Sequence, residues 1–562
     1  MSRCYVRSAI AVLFYLCLAG MTRADDAATP PNFVIFYVDD LGWADTSVRM
    51  MDDEPLSASE FYQTPALERL AKQGMRFTSG YAPTPTCTGS RISIQFGMTP
   101  ARLQYRNVFD VLAGKQRPQG WDDEVSMADV LKAANKGYVT AHFGKGMQVR
   151  RMDHAGYDAT DEFDKGANGN GHGSFIDVTQ KIPIPDDNPK RIVDLTRRSV
   201  EFVREHAGKR PFYLMVSHYA VHIPHQASPA AIERCRLRWI AAGNPDIRPT
   251  DKEYRKHFPE WRYAAMVEET DASLGAILDA LQESKELDNT YVVFTSDNGG
   301  DHGRRDEAGN RFQGPLQEGK RSTFEGGLRV PFVVSGPGIK PGSQCDIPVV
   351  QWDLLPTLHD LSGSSSPLPS GVDGGSLREV LERGNAGRVH RDSPGLVFHY
   401  TCHYHPPVSV IRIGDYKLMR HLNSGKLLLY NVKTDYREEH DLSETMPDRV
   451  TAMDAIRQNY VEQVDGGSIE QVRHALYDLM DESSSRSKDA FAKNLVKLKA
   501  RNPSDLAERK AALLRELNDK LIKNEINKEK CRRQAQFNSW RESPEKDDAE
   551  QAVRARWVDI TE

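Results

Sequence analysis

The chain reads as an α/β protein: a large mixed, mostly parallel sheet sandwiched by helices, followed by a smaller antiparallel-sheet subdomain and a helical C-terminal extension. Three observations predict this. Short apolar runs alternate with helix-like stretches over the first 380 residues. Four of those runs end in Asp, Lys, His or Asp-Asn. After residue 380 the text changes to closely spaced hairpins.

The first element is not expected to belong to the fold. Arg3 and Arg7 flank an apolar run from Ala9 to Gly20, followed by Thr22-Arg23-Ala24. That is the pattern of a secretory signal peptide over residues 1–24, so an exported protein, periplasmic or secreted, is expected. The run is too short for a stable span, and no later stretch approaches 18 apolar residues, so no membrane span is expected.

Residues 25–380 read as one catalytic domain. The strand Asn32–Val38 runs into Asp39-Asp40-Leu41-Gly42. A helix over Met127–Lys136 precedes the strand Tyr138–Phe143, which ends in Gly144-Lys145. A helix over Val193–His206 precedes the strand Pro211–Ser217, which leads to His218 and His222. A helix over Asp271–Glu283 precedes the strand Tyr291–Thr295, which delivers Ser296-Asp297-Asn298-Gly299-Gly300. A strand over Val330–Ser335 and a helix over Trp352–Leu361 follow. In sheets of this kind the site lies beyond the carboxyl ends of the strands, so these four ends predict one shared site.

Residues 381–482 read as a second subdomain, with hairpin strands at Val408–Ile413, Tyr416–Met419 and Lys426–Tyr430. Residues 483–562 are rich in charge. Asn502-Pro503 starts a helix whose Leu506, Leu513, Leu517 and Leu521 share a face.

Composition narrows the function. Lys and Arg number 74 against 79 Asp and Glu, a formal charge of −5, so no global basic field points to nucleic acid. Of the cysteines, Cys4 and Cys17 leave with the signal. Cys87, Cys235, Cys345, Cys402 and Cys531 remain, odd in number and far apart, so no disulfide framework is legible.

Asp39-Asp40 and Asp297-Asn298 offer hard oxygen ligands at two strand ends, which suit calcium or magnesium rather than zinc. Cys87 enters a helix start, with Arg91 one turn on; both features favour an anion at position 87. Lys145, Lys320 and Arg91 lie in glycine-containing segments beside the same strand ends. The cluster Phe398-His399-Tyr400-Thr401-Cys402-His403-Tyr404-His405 is open to three readings: a zinc site, the lining of a carbohydrate pocket, or packing. The glycines of 166–173 follow no strand and read as a loop, not a phosphate cradle.

Taken in order, these segments resemble the type I, formylglycine-dependent sulfatases of the alkaline-phosphatase-like superfamily, over roughly residues 30–445. The resemblance rests on 32–42, 87–97, Gly144-Lys145, Val221-His222-Ile223-Pro224, 296–300 and 319–331, with 411–418 and 429–431 resembling that family's C-terminal subdomain. It implies that a maturation enzyme oxidises Cys87 to 3-oxoalanine (formylglycine), whose hydrate is the nucleophile. It implies one calcium ion held by Asp39, Asp40, Asp297 and Asn298 together with the residue made from Cys87. Arg91 would stabilise the hydrate, and Lys145, His222 and Lys320 would hold the sulfate oxygens of a sulfated carbohydrate or other sulfate ester.

Two positions depart from the family pattern. Position 89 is Gly where Pro or Ala is usual, which leaves the backbone freer and bears on maturation. Met147 stands where the family has a histidine, leaving His142, His154 or His302 as candidates to replace it in space. Two alternatives therefore stay open: a related metal-dependent phosphodiesterase or phosphonate hydrolase, and a catalytically degenerate binder of sulfated glycans.

Overall fold

The computed structural model describes residues 29–105, 121, 123–147, 150–161, 169–170, 185–246, 260–301, 312–400, 407–422 and 424–465. The leader, most of the 166–173 glycine segment, His302, the 401–406 part of the His/Cys cluster and the extension beyond 465 lie outside them.

The chain opens with β1 (Asn32–Val38), every residue of which is buried, as an unbroken apolar run in a two-sided sheet requires. Then come α1 (Pro65–Gln73), β2 (Met75–Phe77), β3 (Gly80–Tyr81), α2 (Cys87–Phe96) and α3 (Met127–Ala133). Proline opens α1 at a position where no backbone donor is lost, and Ser126 with Asp129 forms a reciprocal cap on α3. Next are β4 (Val139–Gly144), β5 (Ala159–Thr160), α4 (Ile192–His206), β6 (Phe212–Ser217), α5 (Pro229–Ala241), α6 (Glu260–Glu283) and β7 (Thr290–Ser296). The catalytic domain finishes with β8 (Phe312–Gln313), β9 (Leu316–Gln317), α7 (Glu325–Leu328), β10 (Phe332–Ser335), β11 (Ser343–Cys345), β12 (Val349–Val350), α8 (Leu354–Leu361) and α9 (Arg378–Arg383).

The large sheet has the order β11-β2-β10-β7-β1-β6-β4-β5. Its centre, β7-β1-β6-β4, is parallel, and the strands end level: Val38 pairs with Ser296, Tyr37 with Ser217, and Gly144 with Ser217. Alternation along β1 divides the core between the two faces. Val34, Phe36 and Val38 join α1, α4 and α6 through Leu67, Leu195 and Leu274. Phe33, Ile35 and Tyr37 join α3 and α8 through Leu131 and Leu355.

The sheet is mixed, as expected, and one helix boundary is corrected. The strand read at Val330–Ser335 is β10, and it runs antiparallel to both β7 and β2, so the sheet is mixed. The helix read from Asp271 begins at Glu260. Trp261, Tyr263, Ala264, Ala265 and Met266 are all buried, which erases the polar face that would mark a helix in the sequence.

The second subdomain is a four-stranded antiparallel sheet of β13 (Leu396–Tyr400), β14 (Val408–Ile413), β15 (Tyr416–His421) and β16 (Leu427–Asn431). Phe398, His399 and Tyr400 therefore belong to a strand, and His399 Nδ1 lies 3.0 Å from Ser409 Oγ on the neighbouring one. The helix α10 (Pro447–Asp465), not read from the sequence, covers this sheet. Its Val450, Met453, Tyr460 and Val461 pack with Ile411, Leu418 and Leu429. No helix among the described residues is long and apolar enough to cross a membrane.

Candidate active site

The level strand ends set the site. Asp39 and Asp40 follow β1, Asp297 and Asn298 follow β7, Lys145 follows β4, and His218 to His222 follow β6. Backbone bonds continue past the last sheet pairs and fix these turns together. Asp39 N donates to Ala220 O at 2.8 Å, Val221 N to Asp39 O at 2.6 Å, Asp297 N to Val38 O at 3.1 Å and Lys145 N to Ser217 O at 2.7 Å. Asp40 adopts a left-handed φ of 64°, and its N–H donates to Asp297 Oδ1 at 3.1 Å.

The nucleophile candidate comes from a different element. Cys87 is the first residue of α2, half-buried, at the end where the helix leaves its backbone N–H groups unpaired. Its Sγ and one oxygen each of Asp39 and Asp297 all lie within 4.8 Å of one another. Arg91, one turn along α2, is buried beneath them. It donates from Nε to Asp297 Oδ2 at 2.9 Å and from Nη1 to the Lys145 carbonyl at 2.9 Å, and it also bonds the Ser217 hydroxyl.

The third contributor is the segment carrying Lys320. It is pinned on both sides: Lys320 N donates to Gly300 O at 3.0 Å, Arg321 N to Pro85 O at 2.7 Å, and Gly299 N to Gly327 O at 3.0 Å. A Cβ at Gly299 would lie 1.8 Å from Gly326 O, so no other residue allows this approach.

Side-chain charges close the cluster. Lys145 Nζ meets Asp39 Oδ2 at 2.5 Å, and Lys320 Nζ meets Asp40 Oδ2 at 2.6 Å. His222 Nε2 lies 3.7 Å from Asp40 Oδ2, and Asn298 Nδ2 donates to Asp40 Oδ1 at 2.9 Å. Every candidate site residue read from the sequence is therefore in one connected cluster.

Burial alone would raise Asp39 and Asp40. Lys145, His222 and Arg91 outweigh it at Asp39 and Lys320 and His222 at Asp40, so both stay below the usual carboxylate range. Burial, with Asp39 beside it, pushes Asp297 up to about 7 despite Arg91. Burial, aided by Lys320, lowers His222 to about 4, so its imidazole is neutral at pH 7.

The donor set fits a hard dication. Asp39 Oδ1 and Asn298 Oδ1 are buried without hydrogen-bond partners, beside the place where the Asp39 and Asp297 carboxyl groups and the Cys87 thiol converge. Unsatisfied buried oxygens of this kind are costly unless something binds them. Calcium or magnesium accepts such a set, with carboxylate and amide oxygens from Asp39, Asp40, Asp297 and Asn298.

The two departures from the family pattern have structural reasons. A Cβ at Gly89 would lie 2.7 Å from Tyr105 Cε1 and 2.9 Å from Thr84 Oγ1, so glycine here answers close packing rather than a need for backbone freedom. Met147 is buried within an apolar cluster. Of the histidines considered in its place, His142 is buried in β4 against the Tyr157 ring, and its ring nitrogen Nδ1 has no hydrogen-bond partner among the described residues. His154 is exposed, its backbone carbonyl accepting from Arg150. Neither belongs to the cluster of charges described above.

Sequence reasoning missed two contributors. Ser217, the last residue of β6, donates its hydroxyl to the Lys145 carbonyl at 2.6 Å and accepts from Arg91. Lys190, just before α4, feels Asp39, Asp40, Lys145 and Lys320. Its position at the carboxyl-end side of a crossover is the one signal that could have found it.

Comparison with known proteins agrees with this geometry. A family model described as Sulfatase matches residues 31–364, and one described as N-sulphoglucosamine sulphohydrolase, C-terminal, matches 318–464. A sulfatase of Formosa agariphila is 27% identical over 525 residues, covering 79% of this chain and 90% of that protein. Human arylsulfatase A is 29% identical over 425 residues, covering 69% of this chain and 75% of its own. Among solved structures, that of Ps i-CgsB in complex with k-i-k-neocarrahexaose has a TM-score of 0.62 at 23% identity. It covers 80% of this chain and 97% of its own, a likeness of fold.

Proposed function

From the premise that this chain belongs to the sulfatase family and is a sulfuric ester hydrolase, we propose that it hydrolyses sulfate esters of sulfated carbohydrates at the strand-end cluster. The observation that carries this reading is the convergence of Cys87, Asp39 and Asp297 within 4.8 Å, ringed by Arg91, Lys145 and Lys320. The carbohydrate class is supported by the relatives. N-acetylgalactosamine-6-sulfatase of human is 29% identical over 393 residues, and a structural neighbour is in complex with its substrate D-glucosamine-2-N,6-O-disulfate.

The chemistry sets what the residues must do. A sulfate ester carries negative charge that repels a nucleophile, so its oxygens need neutralising before attack. Asp39, Asp40, Asp297 and Asn298 would hold one calcium ion, which would supply Lewis-acid neutralisation of that charge. A maturation enzyme would convert Cys87 to 3-oxoalanine, the attacking group. Arg91 fixes position 87 relative to Asp297 from the buried side. Lys145 and Lys320 would turn from Asp39 and Asp40 toward the sulfate oxygens, with His222 beside them on the Asp40 side. The half-exposed Cys87 is the point of entry for the ester. The N-terminal leader pattern supports export to the periplasm or the medium.

The test measures inorganic sulfate released from sulfated oligosaccharides and from an aryl sulfate, using protein coproduced with a maturation enzyme. Sulfate release by the parent and none by Cys87→Ala supports the reading. Binding of sulfated sugar without any release identifies a glycan binder, and cleavage of a phosphodiester to an alcohol and a phosphomonoester, without sulfate release from sulfate esters, identifies the related hydrolase.

A further inference from the structure

Four lysines among the described residues are buried: Lys145, Lys190, Lys320 and Lys417. Three have carboxylate partners. Lys145 pairs with Asp39, Lys320 with Asp40, and Lys417 with Glu325 at 2.9 Å and Glu438 at 2.8 Å. Lys190 has no carboxylate partner among the described residues. Its Nζ meets the neutral Asn170 Oδ1 at 2.9 Å, and the residue is 0% exposed. A buried ammonium without a counter-ion is costly, and where it persists it marks a place prepared for an anion.

The surroundings place Lys190 at the strand ends. Arg191 pairs with Asp161 at 3.0 Å, and Asp161 accepts from Gly144 N at 2.7 Å, immediately before Lys145. On the other side Asn170 follows Gly169, which packs closely on the Tyr219 ring just past β6. The charged groups that act on the Lys190 ammonium are Asp39 and Asp40 from the end of β1, Lys145 from the end of β4 and Lys320 from its pinned segment. Both Lys190 and Arg191 hold left-handed φ values, 53° and 58°, a conformation that non-glycine residues keep only when their surroundings impose it.

We propose that Lys190 is a fourth cation of the sulfate-binding site and that it takes up a proton from solvent when the sulfate group arrives. This rests on the sulfatase reading above and deepens it. Burial lowers Lys190 to about 7, so in the absence of an anion it is half-charged at neutral pH. An anion beside it favours the charged form, and binding then draws in a proton. Lys145 and Lys320 stay charged throughout, because Asp39 and Asp40 outweigh their burial. Lys190 is thus the one lysine of the site whose charge responds to the ligand.

The test is calorimetric titration of inorganic sulfate into the full chain with calcium present, in two buffers of different ionisation enthalpy, between pH 6.5 and 8.5. The parent is expected to take up about one proton per sulfate at pH 8, with affinity falling roughly tenfold per pH unit above 7. Lys190→Arg keeps a fixed charge, so it should bind sulfate with neither proton uptake nor that pH slope. Lys190→Met should bind more than tenfold more weakly at pH 6.5. His222 is already neutral in this window, and Asp297 and Glu438, also near 7, are intact in Lys190→Arg. Proton uptake that survives in Lys190→Arg, or parent-like affinity in Lys190→Met, overturns the proposal. Failure of the hydrolase reading shows separately, as absence of sulfate release from esters by the parent.

Discussion

Two clusters of buried charge lie in this chain, and they differ in how completely they are paired. At the strand ends, Asp39, Asp40 and Asp297 face Arg91, Lys145 and Lys320, yet Asp39 Oδ1 and Asn298 Oδ1 keep no hydrogen-bond partner. Around Tyr81, Glu325 and Glu438 face Lys417, Arg329 and Arg412. There Glu325 Oε1 accepts from Lys417 at 2.9 Å, while Oε2 accepts from Tyr81 and from Arg329 at 2.6 Å each. Glu438 Oε2 accepts from Glu325 N at 2.6 Å; its Oε1, likewise without a hydrogen bond, meets Lys417 in an ion pair at 2.8 Å, much closer than the 3.6 Å between Asp39 Oδ1 and Arg91 Nη2. The second cluster joins β15 and the chain after β16 to α7, and so fixes the segment that carries Lys320. Similar charges serve as a closed joint in one place and as an incomplete site in the other.

The sharpest way to separate the two is to remove one group from each. Cys87→Ala should lower turnover by on the order of 10³ or more while leaving the melting temperature near the parent's, because Cys87 is a surface-facing residue of the open cluster. Glu325→Ala should do the reverse: a loss of roughly 3–5 kcal/mol in denaturant unfolding, since Lys417 and Arg329 would be left buried and unpaired. Asp297→Asn, which keeps an acceptor for Asp40 N but takes a carboxylate from Arg91, should abolish turnover and cost about 1–3 kcal/mol of metal-free stability, less than Glu325→Ala because Arg91 keeps Asp39, Ser217 and the Lys145 carbonyl. A large destabilisation by Asp297→Asn would erase the distinction.

The histidines beneath the strand ends and Glu438 respond to pH with opposite sign. His142 and His218, beneath the strand ends, are lowered to about 3 by burial, with Arg91 adding to it. The unfolded chain binds their protons first, so stability falls as pH drops from about 6.5 toward 3. Each contributes a slope of about 1.4 kcal/mol per pH unit. His142→Phe should remove one such slope from melts between pH 6 and 4. Burial pushes Glu438 up to about 7, so its contribution is lost as pH rises from about 4.5 through 7. Glu438→Gln should gain stability relative to the parent over that range; a parallel pH profile for parent and variant would contradict the assignment.

A separate effect, of packing alone, concerns Gly89. Its hydrogen faces Tyr105 and Thr84, so Gly89→Ala should cost about 1–3 kcal/mol and lower, rather than raise, the fraction of Cys87 converted. Peptide mass spectrometry reads the converted fraction.

Much of the site was legible because its parts are local. Each acidic pair, and Lys145, follows directly on a short apolar strand, and Arg91 lies one helical turn from Cys87. What was not legible depends on contacts between distant segments. Ser217 looks like an ordinary strand residue until β4 and β6 end together, and Lys190 looks like a solvated lysine at a helix start. Helix α10 went unread because its apolar residues are spread among charged ones. The start of α6 was missed for the opposite reason, burial on all sides. Met147 and Gly89 stood out as departures in sequence, but only packing gives them reasons.

The most direct measurement is a calorimetric titration of calcium into metal-free protein, parent beside Asp39→Asn. The account predicts one ion per chain for the parent, with binding lost or weakened at least about tenfold in the variant, because Asp39 Oδ1 has no hydrogen bond and only a 3.6 Å ion pair to Arg91. Absence of binding, or equal binding by both proteins, would show that the strand-end cluster is a closed joint like the one around Glu325.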